Sequence, residues 1–231
     1  MENIPVNSSE YIYRCLKEEI LHLKLKPGQS ISENELCKRF SVSRTPIRSV
    51  MQRLSGEGLM NIVPYKGSFV ALLNFNDIEQ IIYMRIAVES AVLRDFIPLC
   101  TPLLEEKLRY IIRKQMVLME EKDLDMSRFY ELDSQFHEVW FKTAGHNMLW
   151  ELIQKSEVDY TRFRMLDIVA VQNLPAIIEE HKELFQLIHE RRPEGVQPLI
   201  EKHLNGGIHR LQTRIHTELR DYFQPESGTD E

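Results

Sequence analysis

Apolar residues recur every three or four positions from the start of this chain, which is the spacing of one buried helix face. In residues 8–24 the apolar positions are Ile12, Leu16, Ile20 and Leu23. Pro27 and Gly28 interrupt the pattern and predict the end of this first helix. Ser32 begins a capping-box spacing, which predicts a second short helix that ends at Phe40.

The next segment, SVSRTPIRSVMQRLSGEGL, carries a third helical stripe. Its apolar positions fall within about 100° of one another on a helical wheel, and they are Ile47, Val50, Met51 and Leu54. After it, GLMNIV and GSFVALL flank the turn PYKG, which predicts a β-hairpin. Three helices followed by a hairpin form the pattern of a winged helix-turn-helix domain.

Beyond residue 74 the strand signals stop and the helical period fills the chain. The predicted helices cover residues 76–99, 102–121, 125–143, 147–168, 174–190 and 194–222. Pro198 lies inside the last of them, so that helix either starts late or kinks there. The predicted fold class is therefore mainly α, with a winged helix-turn-helix domain in residues 1–73 and an all-α helical bundle in residues 74–231.

Composition is that of an ordinary globular chain, with 43% hydrophobic and 28% charged residues. The net charge of -6 hides an asymmetry, because residues 1–73 hold ten Lys or Arg against seven Asp or Glu. The N-terminal domain is therefore the part expected to meet a polyanion. The sequence predicts no secretory signal and no membrane span, and its three cysteines have no paired spacing. These features favour a protein of the reducing cytoplasm.

The polar side of the third predicted helix indicates a surface that contacts DNA. Its candidate residues are Arg44, Thr45, Arg48, Ser49, Gln52 and Arg53. Small polar side chains allow close approach to a major groove, and guanidinium groups reach guanine edges or phosphates. An ordinary solvated helix face is the alternative, and the adjoining hairpin favours DNA contact.

The stretch ENELCKRFSVSRTPIRSVMQRLSGEGLMNIVPYKGSFV resembles the DNA-binding domain of GntR-family bacterial transcription regulators. The resemblance rests on the VSRTPIR core, the L..EGL exit and the glycine at the wing tip. It implies base and phosphate contacts from Arg44, Thr45 and Arg48. It also implies a wing contact near Lys66 and Gly67.

In the C-terminal region, Asp133 and His137 are four residues apart in one predicted helix. Their side chains therefore share one face, as a divalent metal ion requires of two ligands from a single helix. His181 and His203 fall in two later helices among apolar residues at helical spacing, so each can point inward. Together they would form a nitrogen and oxygen metal site with room for a further ligand. Histidines satisfied by core packing are the alternative.

Residues 74–222 resemble the FadR C-terminal (FCD) ligand-binding domain, whose metal-binding members carry Asp-x-x-x-His and two later histidines. The resemblance implies that this set of four residues binds a divalent ion such as zinc, nickel or manganese. It also implies that the ion holds a small organic acid effector. Six predicted helices, rather than seven, favour the VanR-like branch of these proteins.

The effector pocket has candidate residues of its own. YMRIAVESAVL matches the first FCD helix, whose arginine, here Arg85, often faces the ligand. Tyr160, Arg162 and Arg164 are further candidates because they are polar positions on an otherwise apolar helix. A carboxylate effector would pair with Arg85 while it completes the coordination of the metal.

The predicted function is a DNA-binding transcription regulator, with repression the expected sign, whose operator binding is controlled by the effector. A homodimer on a short inverted repeat is expected, because one DNA-reading helix contacts too few bases for genomic specificity. Two other classes remain open: a nucleic-acid-binding protein whose bundle only dimerises, and a helical metalloenzyme that activates water. The HExxH motif is absent and no Glu-x-x-His pair suits a di-iron bundle, so no enzymatic activity is expected.

Overall fold

The structure, a computed structural model, describes residues 8–122, 124–156, 158–168 and 174–225. The chain divides into two compact units. The first unit joins Met1–Phe75 to Thr213–Glu231, and the second is Asn76–Gln212. The described residues 213–225 thus group with the N-terminal unit, whereas the predicted boundary assigned them to the helical bundle.

Three helices precede the hairpin of the first unit: α1 (Ser9–Leu21), α2 (Glu33–Phe40) and α3 (Arg44–Gly56). A serine caps each of the first two, because the hydroxyls of Ser8 and Ser32 accept hydrogen bonds from backbone N–H groups at 3.1 and 3.4 Å. The predicted apolar faces are confirmed, with buried side chains at Ile12, Leu16, Ile20, Ile47, Val50, Met51 and Leu54. Leu23 is the exception, because α1 ends before it and its φ is 58°.

The predicted hairpin is present as β2 (Met60–Val63) and β3 (Gly67–Val70). These strands pair antiparallel, with Met60 opposite Val70. A further strand, β1 (Ser30–Ile31), pairs with the other edge of β3 and gives the sheet order β1-β3-β2. The sequence did not predict β1, because two residues are too short to show the alternation of a strand.

The second unit is helical throughout its described residues, as predicted. Its helices are α4 (Phe75–Leu99), α5 (Pro102–Met119), α6 (Met126–Thr143), α7 (Asn147–Ser156), α8 (Val158–Leu166), α9 (Leu174–His189) and α10 (Val196–Ile215). The helix expected over residues 147–168 is represented by α7 and α8, and residue 157 between them lies outside the described residues. The six-helix count and the VanR-like branch therefore stay predictions.

Pro198 lies in the first turn of α10, so this helix starts late rather than kinking. A proline is tolerated there because the first N–H groups of a helix have no partner within it. The predicted extension of α10 to residue 222 is wrong, because the helix ends at Ile215 and is followed by turns and a short 3-10 helix, Arg220–Tyr222. No helix among the described residues is long and apolar enough to cross a bilayer.

Residues 222–224 form a backbone pairing that belongs to the first unit. The Leu73 N–H donates to the Tyr222 carbonyl, and the Gln224 N–H donates to the Leu73 carbonyl, both at 2.9 Å. The rings of Phe75 and Phe223 pack edge to face with centroids 6.1 Å apart. The chain after α10 is thereby fixed beside the segment that follows β3.

Replacing Phe223 with Ala should lower the free energy of unfolding of the first unit by about 3 kcal/mol, because a buried aromatic side chain is lost against Phe75. Gln224→Ala is the control, since it removes an exposed side chain and keeps the backbone pairing. Urea unfolding of both variants measures the difference. Equal stability of the two variants would show that the residue 222–224 pairing does not hold in solution.

Candidate DNA interface and metal centre

The outer face of α3 is polar and accessible. All six residues predicted there from the sequence are exposed: Arg44, Thr45, Arg48, Ser49, Gln52 and Arg53. Their opposite face is buried, and only residues 41–43 separate α2 from α3. Ser41 allows this short turn by adopting a φ of 54°.

Two arginines of this face make exposed polar contacts with α2. The Arg48 Nε atom lies 3.0 Å from a Glu33 carboxylate oxygen, and the Arg44 Nη2 atom lies 3.1 Å from the Asn34 side-chain oxygen. Exposed ion pairs of this kind contribute little to stability. Both guanidinium groups can therefore exchange these partners for a phosphate or a base edge.

Arg53 is held differently from the other two arginines. Its Nη1 atom donates to Glu10 at 2.7 Å, and its guanidinium carbon lies 3.4 Å from the centroid of the Tyr13 ring. The Tyr13 hydroxyl in turn donates to Glu57 at 2.7 Å. These contacts connect α3 to α1, so Arg53 has a structural role that its position on the helical wheel did not reveal.

The wing tip is a tight turn in which the Lys66 N–H donates to the Val63 carbonyl at 3.1 Å. Gly67 has a φ of 121°, which a side chain would rarely adopt. Tyr65 has a φ of 61° and is fully exposed at 110% of its reference area. A bulky residue in the left-handed region is uncommon and often marks a functional position. The sequence alone offered no sign of this conformation.

The four predicted metal ligands come together in the second unit. One ligand atom from each of Asp133, His137, His181 and His203 lies within 4.8 Å of the others, and all four residues are buried. The Nε2 atoms of His137 and His203 are 3.2 Å apart, and the His181 Nε2 atom is 3.3 Å from an Asp133 oxygen. Helices α6, α9 and α10 supply these residues, as the sequence predicted.

The other ring nitrogen of each histidine is held by an oxygen acceptor outside the cluster. The Nδ1 atoms of His137, His181 and His203 lie 2.6, 2.9 and 2.8 Å from side-chain oxygens. These oxygens belong to Glu89, Gln115 and Glu180 respectively. In a neutral imidazole, an Nδ1 hydrogen donated to such an oxygen leaves Nε2 with a lone pair, and all three Nε2 atoms face the centre of the cluster.

Burial and neighbouring charges set the protonation states. Burial opposes ionisation of Asp133, but the Arg164 guanidinium and the His181 ring lower the pKa of its carboxyl well below the usual range. Burial lowers the pKa of His181, with Asp133 opposing, and it lowers the pKa of His203 well below the usual range. The ionised carboxylate and neutral imidazole are the states that bind metal ions.

These donors fit a divalent ion. Three Nε2 atoms and a carboxylate oxygen face one another, and with neutral imidazoles each of these nitrogens offers a lone pair; the His181 Nε2 atom has no hydrogen-bond partner. Such an arrangement is electrostatically unfavourable without a cation. Imidazole nitrogen with one carboxylate suits zinc and nickel, and manganese accepts the same set.

Arg85 is connected to this cluster through a buried carboxylate. The Arg85 Nε atom lies 2.5 Å from one oxygen of Glu89, whose other oxygen binds His137. Burial raises the pKa of Glu89, but Arg85 and His137 lower it to about 2, so this carboxylate stays ionised. The Arg85 guanidinium also lies 4.6 Å from the centroid of the buried Tyr160 ring.

The two remaining effector candidates are ion-paired and fully buried. Arg164 donates to Asp133 at 3.1 Å and to Asp167 at 3.2 Å, whereas Arg162 pairs with Asp159. Arg164 is therefore a direct partner of Asp133, one of the predicted metal ligands. Sequence reasoning missed Glu89, although its place one turn after Arg85 on an apolar helix was a usable signal.

A winged helix-turn-helix unit followed by a helical unit with a buried polar centre is the construction of a transcription regulator. Residues 8–70 match the family described as bacterial regulatory proteins, gntR family, and residues 80–206 match the FCD domain. The chain belongs to the GntR family of DNA-binding transcription regulators and carries an FCD domain. Its family is one of regulators, not of enzymes.

Several relatives carry regulatory names. The HTH-type transcriptional repressor RspR of Escherichia coli (strain K12) is 31% identical over 224 residues, which are 96% of this chain and 95% of that protein. The galactonate operon transcriptional repressor of the same organism is 26% identical over 83% of this chain and 91% of its own length.

Solved structures show the same fold. E. coli McbR/YncC has a TM-score of 0.70 at 18% identity, with 89% of this chain and 97% of that chain covered. A putative GntR regulator from Rhodococcus sp. RHA1 has a TM-score of 0.69 at 19% identity, with 88% and 97% covered.

Arg164→Met should destabilise the chelator-treated protein by about 3–5 kcal/mol, because it leaves the Asp133 carboxylate buried without its guanidinium partner. Adding Asp133→Asn should recover part of this loss, since the unpaired charge is then removed as well. Urea unfolding of the single and double variants provides the comparison. If Arg164→Met by itself were as stable as the wild type, water would have to reach the Asp133 carboxylate.

Proposed function

We propose that this protein is a metal-dependent repressor whose affinity for its operator is controlled by a small organic acid. One observation carries the proposal: three histidine Nε2 atoms and one carboxylate oxygen converge in a buried cluster. The Nδ1 atom of each histidine is hydrogen-bonded to a side-chain oxygen outside the cluster. Core histidines that only pack would not require this common orientation. The same chain also carries a DNA-binding unit, and ligand binding at such a site can control the affinity of that unit for DNA.

The DNA-binding unit reads the operator through α3 and the wing. The contacts come from Arg44, Thr45, Arg48, Ser49, Gln52, Lys66 and Gly67, all of which are exposed. Arg53 reaches only a phosphate at the end of α3, because Glu10 and Tyr13 already hold its guanidinium. Tyr65 joins the wing contact, since its exposed ring lies beside Lys66. A homodimer in the cytoplasm places two such units on a short inverted repeat.

In the helical unit, Asp133, His137, His181 and His203 hold one divalent ion: zinc, nickel or manganese. The bound ion supplies positive charge and a coordination position for a carboxylate. Arg85 offers a second cationic contact; the Tyr160 ring lies against Arg85, and Arg164 is bonded to Asp133. The ligand alters operator affinity only if it binds one arrangement of the dimer more tightly than the other. Two relatives are named as transcriptional repressors, which supports repression as the effect on transcription.

Arg48→Ala should weaken specific DNA binding by about 1–3 kcal/mol, because a guanidinium fork to a base or phosphate is lost. A duplex that the wild-type protein enriches from a random library serves as the operator, and fluorescence anisotropy measures affinity. The buried face of α3 is untouched, so the variant should fold normally. Unchanged affinity at moderate salt would remove Arg48 from the DNA contacts.

Chelation should lower the melting temperature of the wild type but not of His181→Ala. Metal bound only to the native state stabilises it by about 2.7 kcal/mol at a hundredfold excess over the dissociation constant. His189→Ala is the matched control, because this histidine is exposed and outside the cluster. His181→Ala should still bind the enriched duplex but lose any response to organic acids. If zinc-, nickel- and manganese-loaded wild-type protein all lack stoichiometric metal in elemental analysis, the metal-dependent proposal is wrong.

A further inference from the structure

Two adjacent glycines, Gly206 and Gly207, lie in the interior of α10. Glycine is the least favourable helix residue after proline, so a pair of them requires an explanation. A Cβ atom at Gly206 would lie 2.6 Å from the Nη1 atom of Arg210, whereas one at Gly207 would lie 3.1 Å from a ring carbon of Phe163. Gly206 therefore leaves the space that the Arg210 guanidinium occupies, and Gly207 makes room for the Phe163 ring.

Arg210 makes a two-pronged bond to Asp167 in this space. Its Nε and Nη2 atoms donate to the two Asp167 oxygens at 2.9 and 2.7 Å. Paired bonds between a guanidinium and a carboxylate fix both groups in one plane. The third donor, Nη1, lies 3.3 Å from the Oε1 atom of Glu180. Arg210 therefore holds carboxylates from two separate segments of the chain.

Each of these carboxylates leads to a metal ligand of the proposed site. The second oxygen of Glu180 accepts from the Nδ1 atom of His203 at 2.8 Å. On the other side, Asp167 accepts from Arg164, and Arg164 donates to Asp133 at 3.1 Å. The chain of bonds thus begins at His203, passes through Arg210 and ends at Asp133.

We propose that Arg210 is a positioning residue for the metal centre, seated over Gly206 and acting through Glu180 on His203. This inference rests on the metal site proposed above. It extends that site beyond both family matches, which end at residues 70 and 206. Partners that orient the imidazole ligands of a metal commonly change its affinity by about 10–100-fold when they are removed.

A purely structural role for Arg210 makes a different prediction. Buried ion pairs can hold helices in place without any effect on a metal. Loss of Arg210 would then lower the melting temperature of the metal-free protein and leave the metal dissociation constant of the folded protein unchanged. The dissociation constant is therefore the measurement that separates the two roles.

The experiment measures zinc affinity of the full chain by competition with a chromophoric chelator. Arg210→Met keeps an unbranched stem but removes the guanidinium, and it should weaken zinc binding by about 10–100-fold. Arg210→Lys should restore part of the affinity, because an ammonium group keeps the charge but cannot form the paired bond. Lys202→Ala is the control on the same helix, since Lys202 pairs with Glu183 at the surface, and its zinc affinity should equal that of the wild type.

Gly206→Ala provides a second route if Arg210→Met does not fold. It displaces the guanidinium without removing it, so zinc binding should weaken while the charge and composition of the site are retained. If the folded Arg210 or Gly206 variant binds zinc as tightly as the wild type while His203→Ala loses zinc, the positioning role of Arg210 is wrong and the metal site stands. Retention of zinc by His203→Ala would overturn the metal site itself.

Discussion

Burial of Asp133 among three imidazoles is the constraint on which the helical unit depends. An ionised carboxylate in an apolar bundle requires a cationic partner, and Arg164 supplies it at 3.1 Å. That guanidinium is itself buried and is balanced by Asp167. Asp133, Arg164, Asp167 and Arg210 thus form a series of alternating charges. The series ends at Arg210, whose side chain is 13% exposed.

This series fixes geometry more than it adds stability. The attraction within a buried ion pair often does not exceed the desolvation cost of its charges. The ion pairs that connect α6, α8, α9 and α10 therefore contribute little to the folding free energy. It does determine which way the imidazoles point, because each Nδ1 atom has one acceptor. Gly206 of α10 fits this view, since helix propensity is lost at the position where the Arg210 guanidinium needs space.

The DNA-binding unit solves a different problem, because it must keep a small core intact while exposing a polar helix face. The apolar side of α3 packs inward, and Arg53 connects α3 to α1 from the outside through Glu10 and Tyr13. The sheet is extended by β1, and residues 222–224 pair with Leu73. A unit of this size gains from every such addition, since small domains bury a smaller fraction of their surface.

The sequence by itself determined most of the helices, the hairpin and the four residues of the buried Asp and His cluster, because periodicity and spacing are local properties. Asp133 and His137 share a face by their four-residue separation, and apolar neighbours turned His181 and His203 inward. Only the tertiary structure decided the partners of these residues. Glu89, Gln115 and Glu180 contact the histidines across helices, and Arg210 contacts Glu180. Likewise, β1 and residues 222–224 find their pairings across long separations. These side-chain contacts and backbone pairings leave no periodic signal in the sequence, because the packing of distant segments determines which residues meet.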